Sequence, residues 1–266
     1  MINKLKQSLL LERGTIYDPY KNKQINGSIL IQNGLVKEVG DIASPKNVTK
    51  VNCRGKLISP GFIDIHAHFR EPGREDKETL ATGARAAISG GYTRVCVMPN
   101  TDPPLDSPES IRFILEKSAD LPLKIFPIGA ITVGQLGIEL TEIGEMVKAG
   151  AVAISDDGLP VQNGQVLRNA LEYAQKYGVP VINHAEDIHL RNDGVMNEST
   201  LSTRLGLPGN PDISESVMVH RDLEVADYTG GRIHIPHVST KRSVDLIRKY
   251  KKMGVNVTAE VTPHHI

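Results

Sequence analysis

The chain has 266 residues, 39% hydrophobic and 23% charged, a composition that fits a folded protein with a substantial core. Its 31 lysines and arginines are balanced by 31 aspartates and glutamates, so no basic field exists to hold nucleic acid or an anionic membrane surface, and small molecules are the expected partners. Cys53 and Cys96, the two cysteines, lie too far apart for a Cys-x-x-Cys metal or redox motif, and a reducing cytoplasm is the expected setting.

In chain order, "MINKLKQSLLLERG" carries only a three-leucine apolar run before Glu12 and Arg13, too short for a signal peptide, and no later stretch approaches the length of a membrane span. A soluble protein is expected. Residues 1–59 read as a small β unit, part of a composite sandwich, in which "GSILIQNGLVKEVG" sets an Asn33-Gly34 hairpin turn between two alternating apolar runs. From residue 60 onward a different unit repeats: an amphipathic helix, a glycine at its C-terminal end, then a short apolar strand. "LATGARAAISGG" feeds "YTRVCVMPN", "LRNALEYAQKYG" feeds "VPVINHAED", and "SVDLIRKYKKMG" feeds "VNVTAEVTPHH". Strands apolar on both faces and separated by helices indicate a parallel sheet covered by helices.

Polar residues sit at the C-terminal tips of five of these strands: His66, Asn100, Asp157, His184 and His237. They converge on one point only if the sheet closes, and no phosphate-binding glycine loop follows the first strand, so a (β/α)8-type TIM barrel over residues 60–266 is preferred to an open doubly wound sheet. Strands are expected to end near His68, Pro99, Ala130, Asp157, His184, Val238 and Pro263, which makes seven. A closed barrel needs eight, and the sequence is therefore expected to be a fragment of a longer chain, truncated before the eighth strand. The stretch "LRNDGVMNESTLSTRLGLPGNP" is an insertion suited to a lid or a subunit contact.

In a strand, residues i and i+2 share a face, so His66 and His68 can chelate one ion. An isolated His-x-His is more often a pair of core histidines, but His184 closes "VPVINH" and His237 closes "RIHIPH", each where a core histidine would be an odd choice. With Asp157 they form a mixed nitrogen and oxygen donor set suited to zinc or another borderline divalent ion, and the four histidines suffice for two ions. Arg70 can offer a guanidinium fork to a carboxylate, or simply pair with Glu71 or Glu75 at the surface. Asn100 can hydrogen-bond an anionic or amide group, or merely form a turn before "TDPP". Glu186 and Asp187 either orient His184 or cap a helix. His234 is expected in the core, His220 on a helix and His189 in a loop.

The segments "GFIDIHAHFREPG", "GGYTRVCVMPNTDPP", "ISDDGLPV", "NHAED", "HVSTKRSVDLI" and "AEVTPHH", in this order between Leu57 and His265, resemble the bacterial type I dihydroorotases of the amidohydrolase superfamily, in its cyclic amidohydrolase branch. The resemblance implies that His66, His68 and Asp157 bind one zinc ion, with Asp156 in place of Asp157 if the strand register is off by one, and that His184 and His237 bind a second. It implies that Arg70 and Asn100 hold a substrate carboxylate. "AVAISDDG" contains no lysine, whereas hydantoinases and dihydropyrimidinases bridge their metals with a carboxylated lysine there. The family's eighth-strand aspartate, a metal ligand and proton shuttle, has no counterpart, so no catalytic residue is assigned and this chain alone is expected to lack the complete catalytic set. The implied activity is the zinc-dependent, reversible cyclisation of N-carbamoyl-L-aspartate to L-dihydroorotate in pyrimidine biosynthesis, in a homo-oligomer or a complex with aspartate transcarbamoylase. The competing expectations are an allantoinase-like or hydantoinase-like amidohydrolase, and a non-catalytic dihydroorotase-like scaffold for aspartate transcarbamoylase, against which the four histidines argue.

Overall fold

The computed structural model describes residues 8–43 and 45–265, which divide into two compact units, one ending at Phe62 and the other beginning at Ile63. The first contains β1 (Leu9–Asp18), β2 (Lys23–Gln32), β3 (Leu35–Gly40), β4 (Thr49–Asn52) and β5 (Leu57–Ile58). β2 pairs antiparallel with both β1 and β3, while β4 and β5 pair in parallel with the free edge of β1. Asn33 and Gly34 have φ of 53° and 78°. Both are left-handed, as a two-residue primed turn requires, and Gln32 is set opposite Leu35 as the sequence predicts. Leu10, Ile16, Leu30 and Cys53 form the buried side of this unit.

The second unit contains β6 (Phe62–Ala67), most of which belongs to it, then β7 (Tyr92–Val97), β8 (Lys124–Pro127), β9 (Ile154–Ser155), β10 (Val181–Ile182), a small outlying pair β11 (Met196–Asn197) and β12 (Gly209–Asn210), then β13 (Ile233–Ile235) and β14 (Val257–Ala259). The helices are α1 (Leu80–Ser89), α2 (Pro108–Ser118), α3 (Ile143–Ala149), α4 (Gly164–Gln175), α5 (Ile188–Arg191), α6 (Thr200–Leu205), α7 (Ile213–Thr229) and α8 (Lys241–Met253). Strand order is β6-β7-β8 in one stretch and β9-β10-β13-β14 in the other, and a parallel bridge between Gly129 and Ile154 joins the two. Each strand therefore lies beside its predecessor without the reversal that an open doubly wound sheet shows at its switch point. The sheet is a partial barrel, with seven strands among the described residues as the sequence predicts.

Local chemistry explains the helix boundaries. Thr79 and Ser107 close capping boxes at the starts of α1 and α2, Pro108 occupies the first turn of α2, and Thr240 caps α8. α7 and α8 end on Gly230 and Gly254, whose φ of 68° and 97° would strain a residue with a Cβ. Two apolar clusters result. The larger packs helices on the outside of the sheet, with Ile111, Ile114, Leu167, Leu171, Leu223 and Tyr250 among its members, while Met98, Ile128, Ala153 and Ile182 fill the inside, with Cys96 against them. Alternation along β7 and the residue after it divides the side chains accordingly, Val95 and Val97 outward, Cys96 and Met98 inward. The insertion between α5 and α7 folds as β11, α6 and β12, with Leu201, Leu205 and Leu207 exposed. No helix among the described residues is long and apolar enough to cross a membrane.

Burial pushes the Cys96 thiol up to about 11, and Cys53 is buried in the first unit. At pH 8 roughly one Cys96 in a thousand is then a thiolate. An aromatic disulfide reagent is expected to label neither cysteine in the native chain and both after unfolding. Fast native labelling of Cys96 would contradict this packing.

Candidate metal centre

The C-terminal tips of β6, β9, β10 and β13 carry His66 and His68, Asp157, His184 and His237 respectively, and the curl of the sheet brings all five together. Asp157, only 5% exposed, is at the middle. Its Oδ1 lies 3.4 Å from His66 Nε2, 3.6 Å from His184 Nδ1 and 3.5 Å from His237 Nε2, and its Oδ2 lies 3.5 Å from His68 Nε2. These separations are long for hydrogen bonds. They are close to the roughly 3.3–3.4 Å between two donors bound at about 2.0–2.1 Å to one tetrahedral ion.

The donor atoms form two overlapping triplets, His66 with His68 and Asp157, and Asp157 with His184 and His237, each within 4.8 Å. Asp157 belongs to both. Its buried Oδ1 accepts no hydrogen bond, an arrangement that costs free energy in a site without a cation. Two nitrogens of His184 and His237 also approach to 3.0 Å. An acceptor-rich cluster of this kind, imidazole and carboxylate with no thiolate, fits a borderline divalent cation.

Electrostatics follow from this crowding. Burial alone would raise the Asp157 carboxyl, but His184, His237 and His66 together hold it far below the usual carboxylate range. Burial would lower His66, yet Asp157 and Glu260 reverse that and carry it up to about 9, and Asp157 with Glu186 does the same for His184. His68 goes the other way: burial lowers it, and the Arg70 charge adds to the lowering. Backbone strain marks the same place, since His237 has a φ of 37° and Arg70 of 51°, a region that residues with a Cβ rarely occupy.

The structure separates Asp156 from its neighbour. Asp156 accepts from the backbone of Ile131 at 2.8 Å and of Thr132 at 3.2 Å, and its other oxygen accepts the Thr132 hydroxyl. It ties the chain after β8 to β9 and faces none of the four histidines, so the register puts Asp157 in the centre. Asn100 is also turned onto the cluster: His68 Nδ1 donates to its Oδ1 at 2.9 Å, and its Nδ2 lies 3.3 Å from Asp157 Oδ2.

Arg70 is half-buried, and neither Glu71 nor Glu75 pairs with it. The Glu71 carboxylate is buried, accepts from Leu80 N at 2.7 Å at the start of α1, and pairs with Lys117, while Glu75 accepts from Gly73 N at 3.0 and 3.1 Å. Among the described residues no carboxylate neutralises the Arg70 guanidinium.

Behind the centre, Asn183 precedes His184 and donates at 2.7 Å to Asp222, which is fully buried on α7 and held by Arg221 Nε at 2.9 Å. Arg221 also donates to the carbonyls of Gln162 and Val161 at 2.7 and 2.8 Å, in the loop that follows Asp157. Removing one partner of such a buried pair leaves a stranded charge, so Asp222→Ala is expected to lower the unfolding free energy by about 3–5 kcal/mol. Urea unfolding checks this, and a loss below about 1 kcal/mol would mean that the pair is solvated.

His234, expected in the core, is buried on β13 with its Nδ1 at 2.8 Å from Thr258 Oγ1. His220 lies on α7 as expected, whereas His189 is not in a loop but on the short helix α5, which the Asp187 cap starts. Asp187 caps α5, and Glu186 Oε2 stands 3.6 Å from His184 Nε2, too far for a hydrogen bond. Glu260, one residue beyond β14, hydrogen-bonds His66 Nδ1 at 2.7 Å and was not singled out from the sequence. The available signal was its position, a polar residue at the tip of an apolar strand. Two open clefts of about 450 and 400 Å3 flank the centre, one beside His184, His237 and Lys241, the other beside His66, His68 and Glu260.

A model described as "Dihydro-orotase-like" matches residues 55–243. The chain is 46% identical over 260 residues to a dihydroorotase of Anaeromyxobacter sp. (strain K), covering 97% of this chain and 60% of that protein. It is 48% identical over 257 residues to a dihydroorotase of Pelotomaculum thermopropionicum, again covering 97% and 60%. The chain thus spans about 60% of the length of these curated relatives. Among solved structures, the L-hydantoinase (dihydropyrimidinase) of Arthrobacter aurescens superposes with a TM-score of 0.76 at 20% identity, over 96% of this chain and 58% of that one. The dihydropyrimidinase of Brevibacillus agri NCHU1002 gives 0.78 at 18%, over 97% and 58%. At these identities the likeness is one of fold.

Proposed function

The chain belongs to the dihydro-orotase-like family, and from that premise we propose that it carries the zinc centre and the substrate anchor of a dihydroorotase, acting on L-dihydroorotate and N-carbamoyl-L-aspartate in pyrimidine biosynthesis. The observation that carries this is the buried Asp157, with one unpartnered oxygen and four imidazoles from three other strand tips around it. His66, His68 and Asp157 would hold one ion, and His184 and His237, sharing Asp157, a second. When bound, a divalent cation supplies Lewis acidity towards the ring amide and lowers the pKa of a water molecule.

The remaining work falls to the side chains. Opening the ring joins a water oxygen to the amide carbon, breaks the C–N bond and returns a proton to nitrogen. Arg70, without an acidic partner, receives the substrate carboxylate in its guanidinium fork, and Asn100, between His68 and Asp157, joins it there, so that the amide carbon is held at a fixed distance from the ligand cluster. The half-buried positions of His68, Asn100 and Arg70 restrict bulk water on that side.

Elemental analysis beside a dihydroorotate hydrolysis assay tests the proposal. Close to two zinc ions per chain is the expected result, with hydrolysis of dihydroorotate above that of allantoin and hydantoin once the chain is joined to the further segment that its longer relatives carry. A preparation that binds no divalent metal at neutral pH would end it. Two free cysteines, neither in a disulfide, support a reducing cytoplasmic setting. The exposed leucines of α6 and the loop after it support a contact with further copies or with aspartate transcarbamoylase, which light scattering on the purified chain and on the mixture tests.

A further inference from the structure

β14 delivers Glu260 to the point where the last strand of the sheet comes back to the first. Its backbone is fixed on both sides of the His237 bend, with Glu260 N donating to Ile235 O at 3.1 Å and Glu260 O accepting from Val238 N at 2.9 Å. From that anchored position the carboxylate reaches His66 Nδ1 at 2.7 Å, while the opposite ring nitrogen, Nε2, faces Asp157 Oδ1 at 3.4 Å. The second carboxylate oxygen stands 3.7 Å from His234 Nε2, beyond hydrogen-bonding range. Glu260 is therefore committed to His66.

We propose that Glu260 is a positioning residue for the metal centre: by accepting the Nδ1–H of His66 it fixes the ring orientation and tautomer, leaving the Nε2 lone pair free for the ion that His66 shares with His68 and Asp157. This rests on the metal-centre reading above. An ionised carboxylate can only accept, so it admits one tautomer of its partner, the one with the proton on Nδ1. The neighbouring ligand is treated alike, since His68 Nδ1 meets Asn100 Oδ1 at 2.9 Å and the Asn100 amide is oriented by Asp157. A glutamine at 260 could rotate its amide and offer N–H to Nδ1, which would favour the tautomer with its proton on Nε2, where the ion must bind. Outer partners of this type typically contribute 10–100-fold in metal affinity.

The test uses the intact chain with Glu260→Gln and Glu260→Ala, Zn2+ affinity by competition with a chromophoric chelator, and 15N NMR of the imidazoles in metal-free protein. Because the metal-free ring keeps both protons until about pH 9, the spectra are recorded above that pH, where the unsubstituted chain is expected to show His66 protonated on Nδ1 and bare at Nε2. Both variants are expected to gain the Nε2–H form and to bind the zinc ion shared by His66, His68 and Asp157 roughly 10- to 100-fold less tightly. Should Glu260→Ala unfold, the near-isosteric Glu260→Gln decides. Zinc binding equally tight in all three proteins, with an unchanged His66 tautomer, overturns the inference and leaves the metal centre standing. No zinc binding by the unsubstituted chain removes the metal-centre reading and this inference with it.

Discussion

Asp157→Ala is expected to abolish metal binding at both halves of the centre at once. Every other ligand candidate belongs to one triplet, whereas Asp157 supplies Oδ2 towards His68 and Oδ1 towards His66, His184 and His237. Its loss also leaves four half-buried imidazoles without the carboxylate that gathers them. The drop in zinc affinity should exceed the 10–100-fold typical of an outer partner, and in the longer protein that completes the barrel hydrolysis of dihydroorotate should fall to background. His184→Ala, by contrast, should release about one ion and leave the other. Asp156→Ala is the informative neighbour, because its side chain satisfies the Ile131 and Thr132 amides and no histidine. It should lower the melting temperature while the folded fraction keeps its zinc. If Asp156→Ala loses metal as completely as Asp157→Ala at a temperature where both are folded, the assignment of Asp157 is wrong.

Arg70→Ala is expected to act on substrate affinity and to spare the metal. Removing the cationic partner of a desolvated carboxylate costs about 2–4 kcal/mol, which corresponds to a rise in KM of roughly 30- to 700-fold. Arg70→Lys should recover only part of this, because an ammonium cannot make the paired, planar contact of a guanidinium. A cyclic amide without a carboxylate provides the control: its turnover, however slow, should change little in Arg70→Ala. Equal losses for the charged and the uncharged substrate would show that Arg70 shapes the loop and does not bind substrate. The positive φ of Arg70 makes that control necessary.

Much of this site can be read from local patterns. The alternation that puts His66 and His68 on one face is a property of any extended strand, and the glycines ending α7 and α8 mark where helices give way to the strands that lead to His237 and Glu260. The choice between Asp156 and Asp157 could not be made that way. β9 is only two residues long, too short for alternation to show a face, and the two aspartates differ only in which neighbour their side chains meet. Thr132 and the Ile131 amide claim one, and the four imidazoles claim the other. The role of Glu71 was equally hidden. Its capture by Lys117 and the first turn of α1 takes away the partner that would have made Arg70 an ordinary surface ion pair.

The order of elements, the hairpin at Asn33-Gly34 and the strand tips that carry the histidines are legible from the residues, because periodicity, capping and left-handed turns are decided within a few neighbouring positions. Which donors share an ion, and what stands behind them, depends on how distant strands meet. Glu260 and His66 are 194 positions apart, and only the curl of a sheet built from consecutive parallel strands brings a carboxylate on the last to within 2.7 Å of an imidazole on the first.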